Sequence, residues 1–585
     1  MKSTQIAGSF AKREVTAEKD RSALVVRDLV LLVAISFLLF FWNLGDLPFY
    51  DRGEPREGLV VQAMYATGNW ILPLINGDYI PFKPPLFHWV GVLTALVVGR
   101  VDEFVVRLPS ALLGMLGVLM TYGVGRRLWN RRAGLVAAVV LTTGFEWWHA
   151  ATITQVDMTL AFFILAALML FYFLYQEEHA RTARSLALAF LLALATLAKG
   201  PLGVAVPSFV ILVFLLLRRD LAFLKKLPLL RGAGIFLLVA GSWYGLAFLQ
   251  EGWSFLRRQI WDETLRTGVG SYGHHQPVYY FVPVLFYNML PWSFFFPALA
   301  VFLYRKRHRL AEEHMFYLLT WLVAVFVFFS VFLGKRGIYI LPLYPAVALL
   351  FGAWWSALEE GMADGVKLAR WLGFVYAILG LCAVAAITIY LTGRLGHTGR
   401  PLKLGNAAPV LSAITHSSLT VGILALLAGC LFLFLGSLWT KKWGGVFGCL
   451  AVIALTQAMV IKKVYNPDLA SQRTMKPFAF RVTQRVDARS PLLFYRAFDY
   501  GLMFYAHRHI PAYGKNLAET KRPYFLLMWE EDFKRLSDNN RLQVLDTSEG
   551  LGATGRHHLL LVEPQQDSPI IDPKGYSRHS DADDE

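Results

Sequence analysis

Long apolar blocks separated by short polar ones dominate this chain from about residue 28 to 461, and a different pattern replaces them afterwards. The blocks fall near 29–44, 106–124, 133–150, 158–175, 185–198, 202–217, 233–249, 281–303, 314–333, 338–356, 371–392, 419–439 and 444–461. Most are long enough, and poor enough in charge, to cross a bilayer as helices whose backbone groups are paired internally. One further block, Leu86 to Val98, has about 13 residues, roughly 20 Å of helix against a hydrocarbon core of about 30 Å.

Basic clusters orient the blocks. They are the N-terminal tail, Arg126-Arg127 with Arg131-Arg132, Arg181 with Arg184, Arg218-Arg219 with Lys225-Lys226, Arg305-Lys306-Arg307, Lys367 with Arg370, and Lys441-Lys442. The positive-inside rule places all of them in the cytoplasm, so an even number of crossings must separate successive clusters. Leu86–Val98 is therefore laid along the outer surface as a juxtamembrane helix. The first block follows Lys12, Arg13, Lys19, Arg21 and Arg27 and is not followed by a small-x-small site, which reads as an uncleaved anchor. The threading gives about thirteen transmembrane helices, with the N-terminus inside and the C-terminal portion outside.

Beyond Lys462-Lys463, short apolar runs alternate with polar ones. Leu492–Tyr495, Tyr524–Leu527, Leu542–Leu545 and Leu559–Val562 read as strands, with helices over Asp499–Arg508 and Glu531–Leu536. The predicted fold is an α-helical polytopic membrane protein with outer juxtamembrane helices, plus a small C-terminal α/β extracytoplasmic domain. Its divisions are a cytoplasmic tail (1–27), a transmembrane catalytic domain (28–462, with an outer loop and juxtamembrane helices over about 46–105), the α/β domain (463–564) and a disordered acidic tail (565–585).

Composition adds little to this picture except by exclusion. The chain is 56% hydrophobic with a mean hydropathy of +0.46, which rules out an ordinary soluble enzyme. Its net charge of +16 would suit nucleic acid, but the basic residues sit between apolar blocks, where they orient helices and meet lipid headgroups. No nucleic-acid partner is implied. Cys382, Cys430 and Cys449 lie in apolar segments without metal-ligand spacing, and no metal site is assigned.

The threading leaves a set of charges on the outer face that orientation does not explain. They are Asp51, Arg52, Glu54, Arg56, Lys83, Arg100, Asp157, Lys199, Arg257, Arg258, Arg266, Lys335 and Arg336. A charge at the centre of a span costs about 2.5–3.5 kcal/mol on insertion scales, so such groups face a cavity or a partner. Each also has an ordinary reading. Lys335 and Arg336 can snorkel to headgroups, Asp157 can pair with a cation for packing, and Asp51 and Glu54 can cap a helix starting near Pro55.

Several stretches, taken in order, resemble the GT-C glycosyltransferases that use lipid-linked sugars. The relevant branch holds the bacterial 4-amino-4-deoxy-L-arabinose lipid A transferases and the wider protein-O-mannosyltransferase superfamily. The stretches are Tyr50-Asp51-Arg52-Gly53-Glu54-Pro55-Arg56, Gly68-Asn69-Trp70 with Pro73 and Asn76-Gly77, Phe82-Lys83-Pro84-Pro85-Leu86, Arg107-Leu108-Pro109-Ser110, Val156-Asp157-Met158, Lys199-Gly200-Pro201, Leu290-Pro291-Trp292-Ser293, and Lys335-Arg336 through Leu341-Pro342-Leu343-Tyr344-Pro345. They cover roughly residues 28 to 350. One departure stands out: the family commonly carries Asp-Glu where this chain has Gly53-Glu54.

The resemblance implies an inverting glycosyltransferase of the bacterial inner membrane. Its donor would be a polyprenyl-phosphate-linked sugar and its acceptor a lipid A-like glycolipid, a glycan or a protein. Asp51 or Glu54 would take the acceptor's proton, and Asp157 would orient the acceptor or stabilise positive charge on the sugar. Arg56, Lys83, Lys199, His275, Lys335, Arg336 and Tyr339 form the expected binding set for lipid phosphate and sugar. No cofactor beyond the donor is called for, and a divalent-metal requirement is undecided. Two other classes compete: a polyprenyl-lipid flippase, and a non-catalytic relative that only binds lipid phosphate. A flippase would show polar residues near the midplane of several spans and paired repeats, whereas here the charges gather on one side.

Overall fold

The computed structural model describes residues 22–76, 83–177, 182–259, 261, 275–306, 313–395, 420–513, 524–536, 542–553, 555 and 557–565. The N-terminal tail before residue 22, the acidic end after 565, Gly77, Phe82, Arg181, Arg266, His274 and Arg307 lie outside the described residues.

Ten helices among the described residues are long and apolar enough to cross a membrane. The first nine elements carry most of the site. They are α1 (Ser22–Phe41), α2 (Gly53–Thr67), α3 (Leu86–Val98), α4 (Glu103–Leu128), α5 (Arg131–Thr143), α6 (Phe145–Ala151), α7 (Val156–Tyr175), α8 (Thr182–Lys199) and α9 (Leu202–Arg218). Three of the thirteen predicted spans differ from simple crossings. The 133–150 block is interrupted at Gly144, whose extended backbone ends α5 and starts α6. The 281–303 block is bent by 109° between Val278–Asn288 and Trp292–Arg305. Leu202–Arg218, with 17 residues, is at the short end of the membrane-spanning range. Hydrophobicity alone predicted these blocks, and it carries no information about where a helix bends.

Local chemistry sets the ends of the elements near the site. Asp51 accepts the Glu54 backbone N–H (2.9 Å) at the start of α2, and Asp102 accepts that of Val105 (3.0 Å) to cap α4. Gly68 and Gly99, at φ 69° and 82°, close α2 and α3 in the left-handed conformation that a glycine adopts without strain. In the bundle, small residues let helices touch: a Cβ on Gly352 would lie 2.4 Å from the Ala133 carbonyl oxygen. As predicted, the Leu86–Val98 block forms one 13-residue helix, and it packs on α2 and α4.

The C-terminal sheet has four strands, β1 (Leu492–Phe494), β2 (Phe525–Trp529), β3 (Leu542–Thr547) and β4 (Leu559–Pro564), in the order β1-β2-β4-β3. β1 runs parallel to β2 and the other pairs are antiparallel. All four predicted strands form, with helices at Tyr500–Ala506 and Glu530–Leu536. This domain grips the loop that leads into α2. The Tyr505 hydroxyl accepts the Phe49 N–H (2.7 Å) and donates to Glu103 Oε1 (2.9 Å), which Lys476 also reaches at 2.6 Å. Phe504 packs edge-on against Phe49 (5.0 Å between centroids), and the Asn76 side chain makes two 2.8 Å bonds with the backbone of Ile510. Residues some 400 positions apart thus fix the backbone beside Asp51.

Candidate active site

Two helix starts converge at one end of the bundle. Glu54, in the first turn of α2, is 1% exposed and is clamped by Arg107 of α4. The guanidinium makes two parallel bonds to it, Nε to Oε2 at 2.7 Å and Nη2 to Oε1 at 2.8 Å, and its Nη1 donates to the carbonyls of Leu44 (3.0 Å) and Leu47 (2.7 Å). Glu54 Oε2 also accepts the Thr154 N–H at 2.9 Å, which ties the loop before α7 to the start of α2. The arginine fork and the backbone N–H thus occupy both oxygens of this carboxylate.

Asp51 differs. It is half-buried, and it accepts the Glu54 backbone N–H as the helix cap. Burial and the nearby charge of Glu54 push its carboxyl up to about 6, against the opposing pull of Arg107 and Arg336. The position of this carboxylate bears on Gly53. A Cβ built on Gly53 would lie 3.9 Å from Asp51 Oδ1 and 3.5 Å from Gln155 Nε2, so the Asp51 carboxylate borders the space that a residue-53 side chain would enter.

Asp157 opens α7 and pairs with Lys199 at the end of α8 (2.5 Å), both nearly buried. The Lys199 ammonium also stands 4.9 Å above the Tyr339 ring. The charges of Lys83 and Arg336 both reach Lys199, and that of Arg336 reaches Asp51. The structure therefore brings together Asp51, Asp157, Lys83, Lys199, Arg336 and Tyr339 from five separate stretches of chain. Glu146 of α6, buried and hydrogen-bonded by Asn288 (2.7 Å), lies within electrostatic reach of Asp157.

The remaining predicted residues are placed differently. Lys335 is 2% exposed and donates to the Gln276 carbonyl oxygen (2.9 Å), so it fastens one loop to another. His275 is exposed and pairs through its backbone with Gly334. Arg56 contacts its neighbour Glu57 (3.3 Å), which is itself bonded to His88 (2.8 Å). Sequence reasoning missed Glu57, His88, Glu146 and Asn288, and gave Arg107 no role. A lone arginine within an apolar span requires a buried partner, and that signal was available. A cleft of about 900 Å³ lies elsewhere, between α2 and the C-terminal domain, and none of the predicted site residues line it. Among the described residues no three His, Cys, Asp or Glu side chains gather as a metal site requires.

Residues 82–244 match the family model for dolichyl-phosphate-mannose-protein mannosyltransferase. An uncharacterized protein of Aquifex aeolicus (strain VF5) is 30% identical over 327 residues, covering 56% of this chain and 73% of that one. The undecaprenyl phosphate-alpha-4-amino-4-deoxy-L-arabinose arabinosyl transferase of Edwardsiella ictaluri (strain 93-146) is 27% identical over 438 residues, 72% of this chain and 75% of the relative. The corresponding transferase 2 of Proteus mirabilis (strain HI4320) is 26% identical over 369 residues, and the match spans 65% of its length. The crystal structure of ArnT from Cupriavidus metallidurans bound to undecaprenyl phosphate superimposes with a TM-score of 0.72 at 21% identity, covering 93% of this chain and 99% of that one. Its apo form gives 0.74.

Fold and relatives together make this a multi-pass membrane glycosyltransferase of the GT-C class. Within that class, the chain belongs to the family that joins the aminoarabinose transferases to the protein mannosyltransferases. These relatives favour sugar transfer over a flippase.

Proposed function

We propose that this protein transfers a hexosyl or pentosyl unit from a polyprenyl-phosphate donor to an acceptor on the outer side of the bacterial inner membrane, with Asp51 as the base. The acceptor is a glycolipid, a glycan or a protein. The observation that carries the reading is the Asp51 carboxylate bordering the space beside Gly53, within electrostatic reach of Arg336, whose charge reaches Lys199 as that of Lys83 does. Undecaprenyl phosphate, bound by the Cupriavidus enzyme, supplies the donor's class. The N-terminus lies in the cytoplasm and the C-terminal domain in the periplasm, because the basic clusters then all face inward.

In this mechanism the acceptor oxygen attacks the anomeric carbon from the face opposite the phosphate. The C–O bond to the phosphate breaks, its electron pair leaves with the polyprenyl phosphate, and Asp51 takes the acceptor's proton where the acceptor is a hydroxyl. Configuration inverts because there is one displacement. Lys199, Lys83 and Arg336 offset the charge that grows on the leaving phosphate. A phosphate departs without protonation, so no general acid is required. Asp157 holds Lys199 in place and faces the positive charge that develops on the sugar. Glu54, held by Arg107, anchors the base's helix.

Two outcomes test this scheme. The value of kcat/KM for sugar transfer to a hydroxyl acceptor rises with pH through a midpoint of about 6, because only ionised Asp51 accepts a proton. A profile flat from about pH 5 to 8 assigns the base elsewhere. Lys199→Gln removes a charge-assisted contact to phosphate and raises the donor KM by about tenfold or more. An unchanged KM removes Lys199 from the phosphate site.

A further inference from the structure

α2 carries a second buried acid that the mechanism does not use. Glu57 is 4% exposed and His88 of α3 is fully buried; His88 Nε2 and Glu57 Oε2 stand 2.8 Å apart, while His88 Nδ1 is buried without a partner. On its other side, Glu57 Oε1 receives Arg56 at 3.3 Å. Lys83 precedes His88 by five residues, joined to it through Pro84-Pro85 and the first turn of α3. This linker is short and stiffened by two prolines, so fixing His88 also fixes Lys83. The charge of Lys83 acts on Glu57 at one end and on Lys199 at the other.

We propose that Glu57 and His88 form a positioning pair that locks the Lys83 segment to the helix bearing Asp51 and sets the net charge of the lipid-phosphate cradle. This rests on the donor being a polyprenyl phosphate, as above. The geometry gives the pair two separable effects. The Glu57–His88 hydrogen bond joins α2 to α3 and so sets the distance between base and phosphate. The Glu57 charge cancels one of the two positive charges, Arg56 and Lys83, that flank it. Burial opposes that charge, but the His88 hydrogen bond and the cations outweigh it and hold the Glu57 carboxyl down at about 2, so it is ionised throughout the working range. A cradle carrying all of its positive charge would bind the donor and retain the product polyprenyl phosphate equally well, and tight product binding slows turnover. Glu57 thus weakens the hold on the phosphate to a level that permits release.

The two effects are tested with the detergent-purified full chain, undecaprenyl phosphate as the probe for binding, and sugar transfer as the second readout. Glu57→Gln keeps the hydrogen-bonding shape and removes the charge. It is expected to tighten undecaprenyl phosphate about 3- to 10-fold, steepen the salt dependence of binding and lower kcat. His88→Phe keeps the volume and removes the bond, and is expected to lower kcat with no gain in affinity. A purely structural role predicts weaker binding in both variants. If Glu57→Gln binds undecaprenyl phosphate no more tightly than the wild type, the charge-setting role is overturned. Should His88→Phe fail to fold, the Glu57→Gln affinity and its salt dependence decide the matter alone. If the wild type itself does not bind undecaprenyl phosphate, the donor assignment beneath this inference falls instead.

Discussion

Asp51→Asn is expected to lower sugar transfer to a hydroxyl acceptor by about 10²–10⁴-fold, the usual contribution of a general base. The asparagine oxygen still accepts the Glu54 N–H that starts α2, so the variant keeps its fold and its affinity for lipid phosphate. A loss of activity without a loss of thermal stability is therefore the signature. The double variant Asp51→Asn with Gly53→Asp goes further. Gly53 has no positive φ, and the nearest atom to a new Cβ is at 3.5 Å, an ordinary contact, so the substitution fits. Its carboxylate would enter the region that Asp51 now borders, and transfer is expected to recover by about tenfold or more over Asp51→Asn. Assays with radiolabelled polyprenyl-phosphate sugar and purified protein measure both. If Asp51→Asn is fully active, Asp51 is not the base. If the double variant stays at the level of Asp51→Asn although it is folded, the shared location of the two carboxylates is wrong.

Arg107→Ala should damage the fold rather than the chemistry. It strands the Glu54 carboxylate, 1% exposed, and releases the carbonyls of Leu44 and Leu47. Removing one partner of a buried ion pair costs about 3–5 kcal/mol. A thermal shift assay in detergent should show a large drop in midpoint, with loss of a single size-exclusion peak. Arg107→Met with Glu54→Met removes both charges and should recover much of the stability, because no buried charge is then left unpaired. A stable Arg107→Ala protein would show that water reaches Glu54. The two substitutions sort the neighbouring acids by function: one variant loses rate at constant stability, the other loses stability first.

Much of this candidate site is legible in the sequence. Asp157 and Lys199 stood out because a charge at the end of an apolar block needs a reason, and the same logic marked Lys83 and Arg336. One member of the expected binding set, Lys335, turns inward to a backbone carbonyl, while His275 is exposed and pairs through its backbone with Gly334. Nothing in a one-dimensional pattern distinguishes Lys335 from Arg336, since adjacent side chains in extended chain point to opposite sides. Glu57 and His88 were passed over for a related reason: each is unremarkable within its own segment, and their meaning comes from the 2.8 Å contact between them.

Reading the residues in order was enough to place the chain in a membrane, to locate its helical blocks and to find the four strands of the C-terminal domain. Those properties depend on hydrophobicity and spacing, which are local and additive along the chain. Folding is what gives Asp51 and Glu54 different surroundings. The two carboxylates are three residues apart and chemically alike, and what separates them is a guanidinium delivered from α4, 53 positions away, to one and not to the other. A carboxylate's basicity is set by the charges and donors around it in space, and those neighbours are assembled by folding.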